Sequence, residues 1–246
     1  MEPHITPLTA QEAFRFACSR GVACFNECCR DLNQFLTPYD ILRLKNRLAL
    51  TSSRFLETYT TQHTGPETGL PVVALKPAHS ETLRCPFVTT SGCSVYPDRP
   101  SSCRIYPLAR AISRTRETGK ITEHFARLKE PHCLGHEQET TQTVGEWVEK
   151  QGLALYNEHN DRLLDIISLK NRLKPGPLDL AFARRFHLAL YDLDTFRTKI
   201  FEEGILFDFD VESALLTRAK QEDTSLLQIG YAWIKSGLLR RHAAPP

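Results

Sequence analysis

The run FACSRGVACFNECCRD at residues 16–31 holds Cys18, Cys24, Cys28 and Cys29, half of the eight cysteines in the chain. Spacing this short lets a turn aim several sulfurs at one point. A regular strand cannot do the same with Cys28 and Cys29, because adjacent side chains there point to opposite faces. A free cysteine is also a good small core residue. Four of them within twelve residues, flanked by Arg20 and Arg30, are poorly explained by packing alone. Thiolates are costly to bury unless something positive compensates, and a metal ion or an iron–sulfur core does so directly. This stretch therefore predicts a turn or a helix end organised by a metal, with Cys28 and Cys29 serving one centre or two different ones.

The remaining cysteines lie downstream. Cys85, Cys93 and Cys103 fall in LRCPFVTTSGCSVYPDRPSSCRIYPLAR, residues 83–110, and Cys133 follows between His132 and His136. Pro97, Pro100 and Pro107 stiffen that run, so closing it on a metal loses less entropy. Arg99, Arg104 and Arg110 can offset thiolate charge or donate to sulfurs. The competing reading is a solvated face with local bridges to Asp98. Tyr96 and Tyr106 read as packed walls, and His132 and His136 as surface or supporting residues rather than ligands. Cys133 completes eight cysteines, a number that divides into two four-ligand sites. All eight are the expected metal ligands. Cys28 or Cys29 as a catalytic nucleophile has no sequence-local His/Asp partner. The two cysteine groups are expected to converge in space.

Composition is that of a soluble globular protein, with 41% hydrophobic and 24% charged residues and a net charge of +2. That charge is too small to call for nucleic acid. The Arg-rich stretch through Arg99, Arg104, Arg110, Arg114 and Arg116 does not change this expectation. The opening MEPHITPLTAQEAF lacks a basic start followed by an apolar run, and no apolar stretch approaches the roughly 18 residues a membrane span needs. A cytoplasmic location without membrane association is expected. In that reducing compartment eight cysteines favour metal or redox chemistry over disulfides. There is no Gly-rich phosphate loop, HExxH, GxSxG or CxxxCxxC radical signature. No small-molecule substrate is identifiable, and a protein partner is left open.

No cysteine follows Cys133, which divides the chain into a cysteine-cluster metal-binding region at 1–137 and a helical extension at 138–246. The expected class is mainly α: an irregular cysteine-rich region with a small β-hairpin, then a helical C-terminal half. Residues 9–17 read as helical. Thr37-Pro38-Tyr39-Asp40 starts a helix with a capping residue, a first-turn proline and a capping acid. Another starts near Ser52, and Gly65-Pro66 ends that region. Residues 71–76 and 81–85 read as the hairpin. Residues 86–109 read as irregular, and a helix is expected over 119–129. Thr143 with Glu146 forms a capping box. An apolar surface continues to about Leu173, where Pro175-Gly176-Pro177 stops it. Helices follow over 178–189, 194–203 and 211–220, then a last one capped by Thr224. The tail RRHAAPP is expected to fray.

The order of motifs, a double cysteine, LTPYDILRL, CPF, GCSVY and RPxxCRxYP, resembles the bacterial YkgJ-type cysteine-cluster proteins over about residues 14–137. That resemblance implies a zinc- or iron-chelating domain, in older descriptions an iron–sulfur oxidoreductase. It implies ligand roles for Cys24, Cys28, Cys29, Cys85, Cys93, Cys103 and Cys133. Cys18 fits the leading cysteine, although five residues separate it from Cys24 where a CxxC is usual. The function expected is metal binding, iron–sulfur or zinc, in a redox or accessory role, with no reaction specified. One alternative is an enzyme modifying a macromolecule. Some flagellin lysine methylases are similar in carrying a comparable cluster, but no loop here would hold a methyl donor. The other is a structural zinc protein mediating protein contacts.

Overall fold

The computed structural model describes residues 4–30, 33–66, 68–115 and 117–243. Arg116 and the last three residues of the tail lie outside them. In chain order the elements are β1 (His4–Leu8), β2 (Ala13–Arg15), β3 (Phe35–Leu36), α1 (Pro38–Arg47), α2 (Ser52–Tyr59), β4 (Thr60–Thr64), β5 (Pro71–Leu75), β6 (Val88–Thr89), β7 (Gly92–Cys93) and α3 (Ser101–Ile105). Then come β8 (Leu108–Arg114), β9 (Ile121–Lys129), β10 (Thr141–Thr143), α4 (Val144–Lys150), α5 (Ala154–Leu173), α6 (Leu180–Leu190), α7 (Leu193–Phe201), α8 (Ser213–Ala219) and α9 (Asp223–Ala243). Helix accounts for 45% and strand for 18%, so the expected helical C-terminal half is present while the chain as a whole is mixed. No helix among the described residues is long and apolar enough to cross a membrane.

Contacts divide the chain into two compact units, one of residues 1–34 and 77–158, the other of 35–76 and 159–246. This partition differs from the division by cysteine content: residues 35–76 group with the second unit although they precede Cys85. The first unit contains every cysteine. Its main sheet has the order β1-β9-β8, all antiparallel, with Ile5 opposite Leu128 and Leu108 opposite Arg127. A second ladder pairs β2 with β10, and β6 with β7 makes a short hairpin.

Two helical expectations fail here. Residues 9–17 contain β2, where Phe14 and Phe16 are buried on either side of exposed Arg15, a period of two rather than 3.6. Residues 121–129 are β9. Glu, Ala, Arg and Leu suggest a helix locally, but the turn closed by Thr115 N–H to Lys120 O (3.0 Å) sets the segment antiparallel to β8 across seven residue pairs. Long-range pairing overrides local preference in such strands.

The core of this unit is aromatic. Trp147 meets Phe14 and Phe16 edge-on, with ring centroids 6.1 and 5.5 Å away, and its Nε1–H donates to Ile105 O at 2.9 Å. Burying each such ring contributes roughly 1.5–3 kcal/mol. Trp147 is presented by α4, whose expected capping box is present: Glu146 N–H donates to Thr143 Oγ1 and Thr143 N–H to Glu146 Oε2.

The second unit has a sheet of order β3-β5-β4, the helices α1, α2 and α6 to α9, and α5 from residue 159 onward. The PVVAL strand exists, but it pairs with β4 and β3, not with residues 81–85. Leu83 has φ 48 and its N–H bonds to His79 O at 3.0 Å, so 81–85 is a turn and the expected hairpin is not formed. The start of α1 agrees with the capping signal of Thr37/Asp40, and α2 starts at Ser52 as expected, with Thr51 accepting from Arg54 N–H. Lys45, 4% exposed, is held by Asp194 (3.1 Å) and Asp223 (2.9 Å), and Arg197 bonds to both carboxylates. Asp192 and Asp194 also accept from Ser52, which ties α2 to the start of α7.

Candidate metal centre

Cys28 and Cys29 sit on a single 3-10 turn, Glu27–Cys29, with their sulfurs 3.9 Å apart. A tight turn does what a strand could not: it turns neighbouring thiols to one side. The turn is entered through Asn26, whose left-handed φ of 72 suits asparagine better than most residues. The Asn26 amide donates to Thr89 O at 3.0 Å, which ties the first cysteine group to the second. Three further contacts do the same. Cys85 N–H donates to Cys29 O at 2.9 Å, Arg20 Nη2 to Ser91 O at 2.6 Å, and Phe25 lies against Gly92. Gly92 is required twice over: its φ is +113, and a Cβ there would stand 3.1 Å from Phe25 Cζ. The two groups therefore meet despite their separation in sequence.

The sulfurs form a continuous field. The Cys18 thiol is pushed up to about 11, first by burial and then by Cys28, Cys24 and Cys133. The Cys28 thiol is pulled down to about 7 by the hydrogen bond from Cys29, and Cys29 is pushed up by that same bond, by burial, and by Cys28, Cys85 and Cys103. Cys85 and Cys93 are raised by burial. Such crowding penalises thiolates unless a cation is placed among them.

Against that penalty stand backbone amides. Those of Phe87 and Val88 favour the Cys85 thiolate, that of Val95 the Cys93 thiolate, and that of Gly135 the Cys133 thiolate. Leu134 N–H donates to Cys24 Sγ at 3.2 Å, which brings Cys133 and its neighbours to the first group. Cys103 donates its thiol proton to Gln34 Oε1 at 3.4 Å.

All eight cysteines are free thiols, and none is fully buried; Cys18, Cys28 and Cys103 are exposed. Among the described residues, no three Cys, His, Asp or Glu side chains already stand in a coordinating arrangement. The donor set nevertheless fits zinc or iron: soft sulfurs in mutual repulsion, supported by amides that favour the thiolate form.

The surrounding side chains sort themselves. Arg110 pairs with Glu123 at 2.6 Å and Arg114 donates to Gly119 O, both on the β8–β9 ladder. Neither Arg99 nor Arg104 bridges to Asp98; both are buried. Arg30 pairs with Glu27. Tyr106 packs edge-on to Phe16 at 6.0 Å, a wall as expected, with its hydroxyl buried beside Cys133. Tyr96 is no wall: it is exposed, and the Arg99 guanidinium lies 3.8 Å over its ring. His132 is exposed and 3.7 Å from Glu130, while the His136 ring lies against Phe16 with both nitrogens buried and its basicity lowered, chiefly by burial. Gln34 and Gln151 were not marked by the sequence. Each acts on residues about fifty or more positions away, and a lone glutamine carries no local signal.

A family model described as "Putative zinc- or iron-chelating domain", with the motif name CxxCxxCC, matches residues 17–140, just over half of the chain. No curated protein and no solved structure matches the chain.

Proposed function

The chain belongs to the CxxCxxCC family of zinc- or iron-chelating domains, and from that premise we propose that it carries a zinc or iron–sulfur centre in a redox or accessory role. The ligands in this reading are drawn from Cys18, Cys24, Cys28, Cys29, Cys85, Cys93, Cys103 and Cys133. The observation that supports it most is the meeting of the two cysteine groups, through Cys85 N–H to Cys29 O and the Asn26 amide to Thr89 O, with the Leu134 amide donating to Cys24 Sγ. Amides aimed at sulfur favour the thiolate, the form that binds metal. A lone catalytic cysteine would need one activated thiol beside a base, whereas here eight cysteines lie in one unit.

The cysteine-bearing 1–137 is the metal-binding part in this reading, and 138–246 is its helical extension. Exposure favours an accessory or redox role over a sealed structural one, since Cys18, Cys28 and Cys103 are open to a partner protein. An iron–sulfur centre would supply one-electron chemistry, and zinc a cross-link between the two cysteine groups. The chain's own residues hold the sulfurs: the Glu27–Cys29 turn, the β6–β7 hairpin and the Leu134 amide. A cytoplasmic setting would keep the thiols reduced.

The test is elemental analysis and visible absorption of anaerobically purified full chain. The expected result is stoichiometric metal, with sulfur-to-iron charge-transfer bands for iron–sulfur and none for zinc. Less than about half an equivalent of zinc and of iron together refutes the reading.

A further inference from the structure

Arg99 and Arg104 are each only 8% exposed. A guanidinium stays charged at any pH a protein tolerates, so burying one without an anion is costly. Their hydrogen-bond acceptors are all neutral. Arg99 Nη1 donates to Tyr96 O at 2.7 Å and Nη2 to Gln151 Oε1. Arg104 donates to Gln151 O at 2.6 Å, to Pro97 O and to Tyr156 Oη, while its Nε is buried with no acceptor. Gln151 thus bridges two like charges. Among the described residues neither arginine has a carboxylate partner.

The sulfurs of two cysteines are among the groups whose negative charge favours the Arg99 cation, after Tyr96. Arg99 stands in the loop between Cys93 and Cys103, and its charge acts on Cys18, Cys93 and Cys103. Thiolate ligands outweigh the charge of the metal they surround, so a centre with four cysteine ligands is net anionic.

We propose that Arg99, backed by Arg104, is the built-in counter-charge of the thiolate–metal centre. This rests on the metal-binding reading above and extends it to the electrostatics around the sulfurs. The metal-free chain holds two buried cations with no carboxylate partner among the described residues. Filling the centre supplies the missing negative charge. Arg104 completes the pair but is spent largely on carbonyls, so Arg99 is the residue on which the effect turns.

The consequence has an unusual sign. Removing the Arg99 charge relieves the metal-free protein and weakens the metal-loaded one, whereas loss of a purely structural arginine weakens both. The experiment uses the full chain, stripped of metal and reloaded with zinc alone. Zinc affinity is read by competition with a chromophoric chelator, and melting temperature with and without zinc. Arg99→Gln is expected to lower zinc affinity about ten- to a hundredfold, with the metal-free melting temperature unchanged or raised. Arg99→Lys keeps the charge but loses the forked donation to Tyr96 O and Gln151 Oε1, and is expected to bind zinc more tightly than Arg99→Gln.

Equal zinc affinity in Arg99→Gln and the unmodified chain overturns the inference and leaves the metal reading standing. An equal fall in melting temperature with and without zinc also overturns it. An unmodified chain that takes up no zinc overturns both. If Arg99→Gln does not fold, Arg99→Lys is compared with Arg99→Met: higher zinc affinity with lysine than with methionine supports the counter-charge, and equal affinity refutes it.

Discussion

Replacing Gly135 with alanine tests whether the chain itself, before any metal, holds the cysteine loops together. A Cβ at residue 135 would stand 2.5 Å from Phe16 Cε2, 2.9 Å from Ala17 O and 3.1 Å from Phe16 Cδ2. None of these atoms is free to retreat. Phe16 is 2% exposed, and its ring is caught between Trp147, Tyr106 and His136, with centroids 5.5, 6.0 and 5.3 Å away. The Ala17 oxygen is backbone, and Ala17 N–H itself donates to Gly135 O at 3.1 Å. Overpacking a filled core costs about 1–3 kcal/mol. With both neighbours fixed, the upper part of that range is expected, about 2–3 kcal/mol. For a unit of this size that lowers the melting temperature by roughly 5–15 °C. The assay is thermal and denaturant unfolding of metal-stripped protein, followed on Trp147 fluorescence against the Trp233 background with a Trp233→Phe control. Because the Gly135 amide serves Cys133 and Cys18 follows Ala17, zinc affinity should fall as well. A metal-free Gly135→Ala protein within about 0.5 kcal/mol of the parent would refute the reasoning, since a surface-like tolerance is incompatible with those contacts.

Two further outcomes are expected. Burial alone would raise the Asp194 and Asp223 carboxyls, but the Ser52 amide and Lys45 hold the first, and Lys45, Arg197 and Asn46 the second, below the ordinary value of 3.8. Their folded-state values are depressed, so the stability they contribute is full above pH 3.8 and is lost as pH falls through it towards those lower values. Circular dichroism from pH 6 to pH 2 should show an acid transition of the second unit that is shallower in Asp194→Asn/Asp223→Asn; identical acid limbs would count against it. Metal removal, or Cys103→Ser, should cost hydrogen-exchange protection in 4–34 and 77–158 and spare 35–76 and 159–243, because each unit has its own core. Equal loss in both would make them one cooperative block.

What the sequence made legible depended on whether the signal was local. The capping box at Thr37/Asp40, the second at Thr143/Glu146 and the stop at Pro175-Gly176-Pro177 each rest on residues within four positions, and the structure has all three. Most strands were opaque for the opposite reason, the β-branched PVVAL run of β5 being the exception. β9 owes its conformation to β1 on one side and β8 on the other, so its own residues describe it poorly. The same contrast runs through the site. The cysteines announce themselves by type and spacing. The partners that prepare them are backbone amides, which any residue supplies, and two glutamines remote in sequence.

That asymmetry bears on how the centre is specified. A CxxC pair would fix two sulfurs by local geometry alone. Here Cys18 and Cys24 are separated by five residues, and the spacing is made good by contacts from elsewhere: the Ala17–Gly135 bond positions one and the Leu134 amide the other. The loop that carries Cys133 therefore does more than add an eighth thiol. It substitutes, through one backbone hydrogen bond and one amide-to-sulfur hydrogen bond, for the short spacing that the first cysteine group lacks. On this argument Cys133→Ser, which keeps the loop, should disturb Cys24 less than Gly135→Ala, which keeps every sulfur but forces the loop away from Phe16.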